Sequence, residues 1–347
     1  MRITFFVGNG FDISCGIHSS YSQFYDWYCK QEKSELAHVN LFRNTIDEDI
    51  KAGKKNWADF EEALGQYTKN FTKQTVQEFY DCYEDASEKL MEYLSQQLDR
   101  FEENLLSNDE LQKLKKGLAA FYQELTPKER ETIKELLNSR MREDRTMTFV
   151  SYNYTDVLDR CVLQIGDEPL EVWHDTANRQ HKLSVSSKII HAHGLLANHP
   201  VFGVNDESQI ANKELLSIPE FASLMIKPRC VEELGELWHD ETKSIINDST
   251  IICIFGMSMG ITDTIWFEKI IGWLRGDVNR HLILFWHTDK PSNNISNMRY
   301  FENRKVARKK ITDYSDCSKE QIEELNHRIH IVENTKHVLQ VRLNEKV

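Results

Sequence analysis

Ile3-Thr4-Phe5-Phe6-Val7-Gly8-Asn9-Gly10-Phe11-Asp12 joins an apolar, β-branched and aromatic run to a turn carrying two glycines. Residues 3–7 fit a buried strand, and the Gly-x-Gly break fits a sharp exit from its end. Just beyond, Tyr21, Phe24, Tyr25 and Tyr28 recur at helical spacing, so the order is strand, turn, helix.

The same texture returns after Arg145. Residues 147–151, 188–193, 250–255, 281–286 and 328–333 read as short strands, separated by amphipathic helices such as 231–247 and 262–274. Strand-helix alternation of this kind implies a mostly parallel, Rossmann-like α/β sheet with helices on both faces. The intervening chain is helical. Phe79, Tyr83, Ala86, Leu90, Leu94, Leu98 and Phe101 keep a three-to-four spacing, and Ser107 with Glu110 and Thr126-Pro127 with Glu129 read as helix starts. The expected organisation is a nucleotide-binding α/β domain over 1–35 and 146–347, with a large all-helical insertion over 36–145 after the first strand.

Composition narrows the function classes. Hydrophobic residues make up 40% and charged residues 28% of 347, which suits a globular protein and argues against disorder. The longest strongly apolar run, 251–256, is far too short to cross a bilayer. The start lacks the length and cleavage site of a signal peptide, so a cytoplasmic location without membrane partners is expected. Seven scattered cysteines without a C-x-x-C pair argue against a disulfide framework and a cysteine-rich zinc site. A formal net charge of −12 disfavours broad nucleic-acid binding. The basic run Arg304-Lys305-Val306-Ala307-Arg308-Lys309-Lys310 reads as a solvated helix face in preference to a phosphate or partner contact.

Ligands of open parallel sheets bind past the C-terminal ends of the strands. The polar residues that periodicity leaves unexplained fall there. Gly8 and Gly10 let backbone amides approach a phosphate at a helix start, although an ordinary turn explains them equally well. Ser151-Tyr152-Asn153-Tyr154-Thr155-Asp156 follows the second strand. Asn153 offers donors and an acceptor for a ribose hydroxyl or a water, while Thr155 or Asp156 can cap the next helix. In His191-Ala192-His193-Gly194 a histidine can take up a proton near neutral pH, and the glycine leaves room for a ligand. The two histidines would share one side of a strand, but no third ligand is identifiable and no metal site is expected. Phe255-Gly256-Met257-Ser258-Met259-Gly260 suits a phosphate or ribose loop at Gly256 and Ser258. Asp263 can face the pocket, though capping the helix of Trp266, Ile270 and Trp273 is the simpler role. Trp57-Ala58-Asp59-Phe60-Glu61-Glu62 reads as a solvated helix start in preference to a lid.

These islands, in this order, resemble the AbiH abortive-infection family. The pieces are Phe6-Val7-Gly8-Asn9-Gly10-Phe11-Asp12, Gly16-Ile17-His18-Ser19-Ser20-Tyr21 with Phe24, Tyr152-Asn153-Tyr154-Thr155, His193-Gly194, and Phe255-Gly256 with Ser258 and Asp263. More remotely, the order is similar to the sirtuin-like NAD-binding fold. That resemblance implies a phosphate loop at Gly8 and Gly10, Asn153 at the ribose or an attacking water, and His193 as catalytic base. It implies Gly256 and Ser258 beside the nucleotide, and sets Asn9, Phe11, Asp12, Tyr21, Tyr154, Thr155, Gly194 and Asp263 around it. The four-cysteine zinc module of deacetylating sirtuins is absent, which excludes deacetylation. The Asn-x-Asp of many sirtuin-like proteins reads Asn153-Tyr154-Thr155 here, and Met257 stands where AbiH relatives often carry His. The implied function is antiviral defence by an abortive-infection hydrolase that converts NAD to nicotinamide and ADP-ribose, with no required cofactor. A phage-derived trigger and a homo-oligomer formed through the helical insertion accompany that reading. A nucleotide sensor without turnover and a nuclease are the alternatives; the acidic balance speaks against the nuclease.

Overall fold

Seven strands form one sheet: β1 (Arg2–Val7), β2 (Thr146–Ser151), β3 (Leu170–His174), β4 (Gln180–His191), β5 (Ile251–Phe255), β6 (His281–Trp286) and β7 (Ile329–Glu333). Their order is β3-β4-β2-β1-β5-β6-β7. β3 runs antiparallel to β4, and every other neighbouring pair is parallel. The computed structural model describes residues 1–54, 59–140, 143–174, 180–198, 200–292 and 297–346. None of its described helices is long and apolar enough to cross a membrane.

The expected mostly parallel α/β sheet is present, and all six expected strands form. Two features were not anticipated. β3 was not identified, and β4 begins at Gln180, eight residues ahead of the expected start at 188. In 181–184 only His181 and Leu183 are buried, while Lys182 and Ser184 face outward. A ribbon at the sheet edge buries one face only and so produces no continuous apolar run. The central strand β1 is buried on both sides. Its one buried polar residue, Thr4, has its hydroxyl 2.9 Å from that of Thr148 and 2.6 Å from that of Ser249, so this hydroxyl is not stranded in the sheet.

The helices are α1 (Gly10–Ser14), α2 (Tyr21–Tyr28), α3 (Ala37–Lys51), α4 (Phe60–Tyr67), α5 (Val76–Leu98), α6 (Asn108–Ala119), α7 (Pro127–Ser139), α8 (Val157–Ile165), α9 (Pro219–Met225), α10 (Lys227–Glu233), α11 (Trp238–Asp248), α12 (Thr264–Gly276), α13 (Asn297–Thr312) and α14 (Lys319–Asn326). Between β1 and β2 the described elements are all helical. One sheet face (Phe5, Phe149, Cys253, Phe285) packs against α1, α6, α7, α8 and the tail residues Val338 and Leu339. The opposite face (Phe6, Val150, Ile252, Leu284) packs against α11, α12, α13 and α14. A third core joins α2, α3, α4 and α5 to Tyr154, Phe202 and α9. The stretch 36–145 therefore supplies helices both to the sheet and to this separate core.

The basic run on α13 is not uniformly solvated, as its composition suggested. Arg304 is buried, donating to the Ile331 carbonyl and pairing with Glu129 of α7, and Arg308 donates to the Ile329 carbonyl. Lys305 and Lys309 remain exposed.

Candidate functional site

Strand register gathers the loops. Val7 of β1 lies opposite Ser151 of β2 and Phe255 of β5, and Ser151 lies opposite His191 of β4. Because these strands are parallel, the loops starting at Gly8, Tyr152, Ala192 and Gly256 all leave the same edge at one level.

The glycines of the first and last of these loops face each other. Gly8 N–H donates to Phe255 O (2.9 Å), Gly10 N–H to Gly256 O (2.8 Å) and Phe11 N–H to Gly8 O (2.9 Å). A Cβ on Gly10 would lie 2.5 Å from Gly256 Cα, and one on Gly256 would lie 2.7 Å from Phe11 N. Sequence reasoning gave these amides to a phosphate; here each already has a backbone acceptor. Asn9 ties the loop to the segment ahead of α2, its Nδ2 donating to Ser19 O and its Oδ1 accepting from Ser19 Oγ. Phe11 is fully buried and meets Phe255 edge-on. Gly256 also holds φ +66°, which only glycine adopts freely. Gly256→Ala is therefore expected to lower stability by roughly 1–3 kcal/mol, measured by chemical denaturation. An unchanged midpoint would mean that the loops separate at no cost.

Asp12, on the first turn of α1, reaches the second loop. Its Oδ1 accepts from Asn153 Nδ2 (2.8 Å) and its Oδ2 from the Thr155 hydroxyl (2.5 Å). Neither Thr155 nor Asp156 caps α8 through its side chain: Asp156 holds the N-cap position without a cap bond. Asn153 is buried, and with its amide nitrogen engaged, its Oδ1 has no hydrogen-bond partner among the described residues. The Tyr152 hydroxyl is likewise buried, with no partner among the described residues.

Burial lifts the Asp12 carboxyl to about 7, against the lowering effect of the bonds from Thr155 and Asn153. The folded state thus keeps a proton that the unfolded chain gives up near the ordinary aspartate value. This group's stabilising contribution is complete below that value and is lost as pH rises through about 7. Asp12→Asn abolishes the titration. Its unfolding free energy relative to wild type should rise between pH 5 and pH 8 by on the order of 2 kcal/mol. Denaturation curves differing by the same amount at both pH values would exclude the buried proton.

The second cluster surrounds Lys227, the first residue of α10. Its Nζ donates to Glu61 Oε2 (2.8 Å) and Asp263 Oδ1 (3.0 Å) and lies 3.3 Å from His193 Nε2. His193 Nε2 also lies 2.9 Å from Asp263 Oδ1. The Tyr154 hydroxyl is 2.9 Å from Glu61 Oε1 and 3.1 Å from Val201 O. Lys227, Glu61 and His193 are each about 95% buried. The His193 ring meets Tyr152 edge-on (centroids 5.1 Å apart) and lies 6.2 Å from Tyr154. Burial pushes the Glu61 carboxyl up, while the charge of Lys227 draws it down. Burial also opposes ionisation of Asp263, but Lys227 and His193 outweigh it and hold that carboxyl well below the usual range. The two carboxylates in turn raise the Lys227 ammonium above its ordinary value despite burial.

Several expectations change here. Asp263 stands at the N-cap of α12 but makes no cap bond; its carboxylate serves His193 and Lys227 instead. Glu61 is not on a solvated helix start. Asp59 caps α4 by accepting from the amides of Glu61 and Glu62, and Glu61 turns inward. Trp57 and Ala58 lie outside the described residues. His191 and His193 do not converge. His191 is the last residue of β4 and pairs with Asp159 at 3.0 Å, whereas His193 has left the strand. Gly194 follows with φ +73°, and the Tyr21 ring lies tilted against Phe60 at the edge of the Lys227 cluster, where burial and the Glu61 charge raise its phenol. Ser258 is exposed, and Met257 covers Gly8.

Sequence reasoning missed Lys227. A signal existed: a lysine followed by proline at a helix start opposes the helix dipole unless an acid lies nearby. The geometry yields an acid-oriented histidine: with a proton on Nε2 donated to Asp263, Nδ1 is left as proton acceptor. Asn153 lies on the loop whose Tyr152 and Tyr154 rings flank His193. A family model described as bacteriophage abortive infection AbiH matches residues 4–286. No curated protein matches the chain.

Proposed function

The chain belongs to the AbiH family of bacteriophage abortive infection proteins, and from that premise we propose that it acts by hydrolysing NAD to nicotinamide and ADP-ribose at the C-terminal edge of the sheet, in a sirtuin-like arrangement. The observation that carries this reading is the buried, unpartnered Oδ1 of Asn153, held in place by Asp12, on the loop next to the His193–Asp263 pair. In the reaction, a water oxygen bonds to the anomeric carbon of the nicotinamide ribose. The bond to nicotinamide breaks, and its electron pair leaves with the neutral base. His193 Nδ1 takes the proton from the water, and Asp263 keeps the ring in the accepting tautomer. Asn153 Oδ1 accepts from a ribose hydroxyl or from the water.

The test is to incubate purified protein with NAD and quantify nicotinamide and ADP-ribose. The expected result is turnover by wild type and none by an Asn153→Ala, His193→Ala double variant. Equal product from both removes the enzymatic reading.

A second reading is a nucleotide sensor without turnover. It is favoured by one observation: the amides of Gly8 and Gly10 and the ammonium of Lys227 already have partners. Calorimetric NAD binding without product would select it.

A further inference from the structure

We propose that the groove between α6 and the C-terminal tail is a binding site for a polyphosphorylated small molecule, separate from the sheet-edge site. The groove has a volume of about 710 Å³, within the range of nucleotide-sized ligand sites. Lys113, Lys116, Lys336 and Arg342 line it together with Glu110 and Glu124. That is a local positive excess on a chain whose formal charge is −12.

Both acids are satisfied from within the protein. Glu110 accepts from Lys113 and from the Arg342 backbone amide, and Glu124 from the Thr335 hydroxyl and the Lys336 backbone amide. Among the described residues the side chains of Lys116, Lys336 and Arg342 make no hydrogen bond and no ion pair within 4 Å, although Arg342 is near enough to Glu110 to help lower its carboxyl. Lys116 comes from α6, and Lys336 and Arg342 come from the tail, so folding brings them together and no single basic run supplies all three.

The walls are already built. Val338, Leu339 and Val341 are buried in the sheet core. The tail backbone also sits so closely on α6 that a Cβ at Gly117 would lie 2.2 Å from His337 O. A ligand would therefore meet a formed site with little ordering cost. Two lysine ammoniums and an arginine fork match phosphate oxygens, the arginine bidentately. Ser14 of α1 lines the groove, two residues from Asp12, so the ligand would touch the helix that positions Asn153.

Calorimetry of the full chain with inorganic tripolyphosphate tests the proposal. One-to-one saturable binding is expected, weakening at least tenfold in a Lys116→Glu, Lys336→Glu variant. A Lys73→Glu, Lys305→Glu variant carries the same charge change at exposed lysines elsewhere and should bind within twofold of wild type. Circular dichroism verifies that both variants are folded. Should the groove variant unfold, the milder Lys116→Gln, Lys336→Gln variant is expected to weaken binding at least threefold. Absence of saturable binding to wild type, or equal weakening in the groove and control variants, overturns the site. Binding of poly-glutamate with no response to tripolyphosphate overturns the ligand class in favour of an acidic protein segment.

Discussion

Lys227→Met lowers the unfolding free energy at pH 7 by about 3–5 kcal/mol, the usual effect of removing one partner from a buried ion pair. The ammonium is the cation shared by Glu61 and Asp263, at 2.8 and 3.0 Å. Methionine fills most of the volume, so the loss is electrostatic and not a cavity effect. Without Lys227, Asp263 still has His193, whereas among the described residues Glu61 keeps the Tyr154 hydroxyl as its hydrogen-bond donor. The Glu61 carboxyl, already raised by burial, rises further and takes up a proton on folding that the unfolded chain lacks at pH 7. The deficit therefore shrinks as pH falls from 7 towards 5. A Glu61→Gln change in the Lys227→Met background should recover most of the loss, because a neutral amide needs no counter-charge and still accepts from Tyr154. Urea denaturation of the single and double variants measures both effects. A double variant no more stable than Lys227→Met would show that packing, and not the orphaned charge, causes the loss.

His193→Ala has the largest expected effect on the proposed reaction, a fall in kcat of roughly 10²–10⁴-fold, the range for removing a general base. The NAD dissociation constant should change little, since His193 is engaged by Asp263 and acts on the water. Asp263→Asn should lower kcat by a smaller factor and alter its pH profile, because an amide can also donate to Nε2 and so no longer fixes the tautomer. Asn153→Ala should instead weaken NAD binding as well as turnover. Single-turnover kinetics and calorimetry separate these patterns. If His193→Ala retained kcat within threefold while losing affinity, histidine would be a binding group and the base would lie elsewhere.

How much of this was legible beforehand depends on where the information lies. The strand at residues 3–7 and its five successors declare themselves through runs of apolar and β-branched residues, because a strand covered on both faces must be apolar throughout. The glycines flanking β1 and β5 were also legible, but their purpose was not. Contact between the Gly10 and Gly256 backbones is a meeting of segments far apart in the chain. β3 escaped because an edge ribbon needs only one buried face.

The sequence by itself determined the α/β class, the set of loops at the strand ends, and the family, since each is written in local periodicity or short contiguous motifs. Only the tertiary structure decided what those loops hold. Asp12 meets Asn153 and Thr155, and Lys227 joins Glu61, His193 and Asp263. The reason is physical. Hydrophobic pattern depends on neighbours in the chain, whereas the charge state and role of a buried acid depend on which groups folding brings within about 3 Å of it.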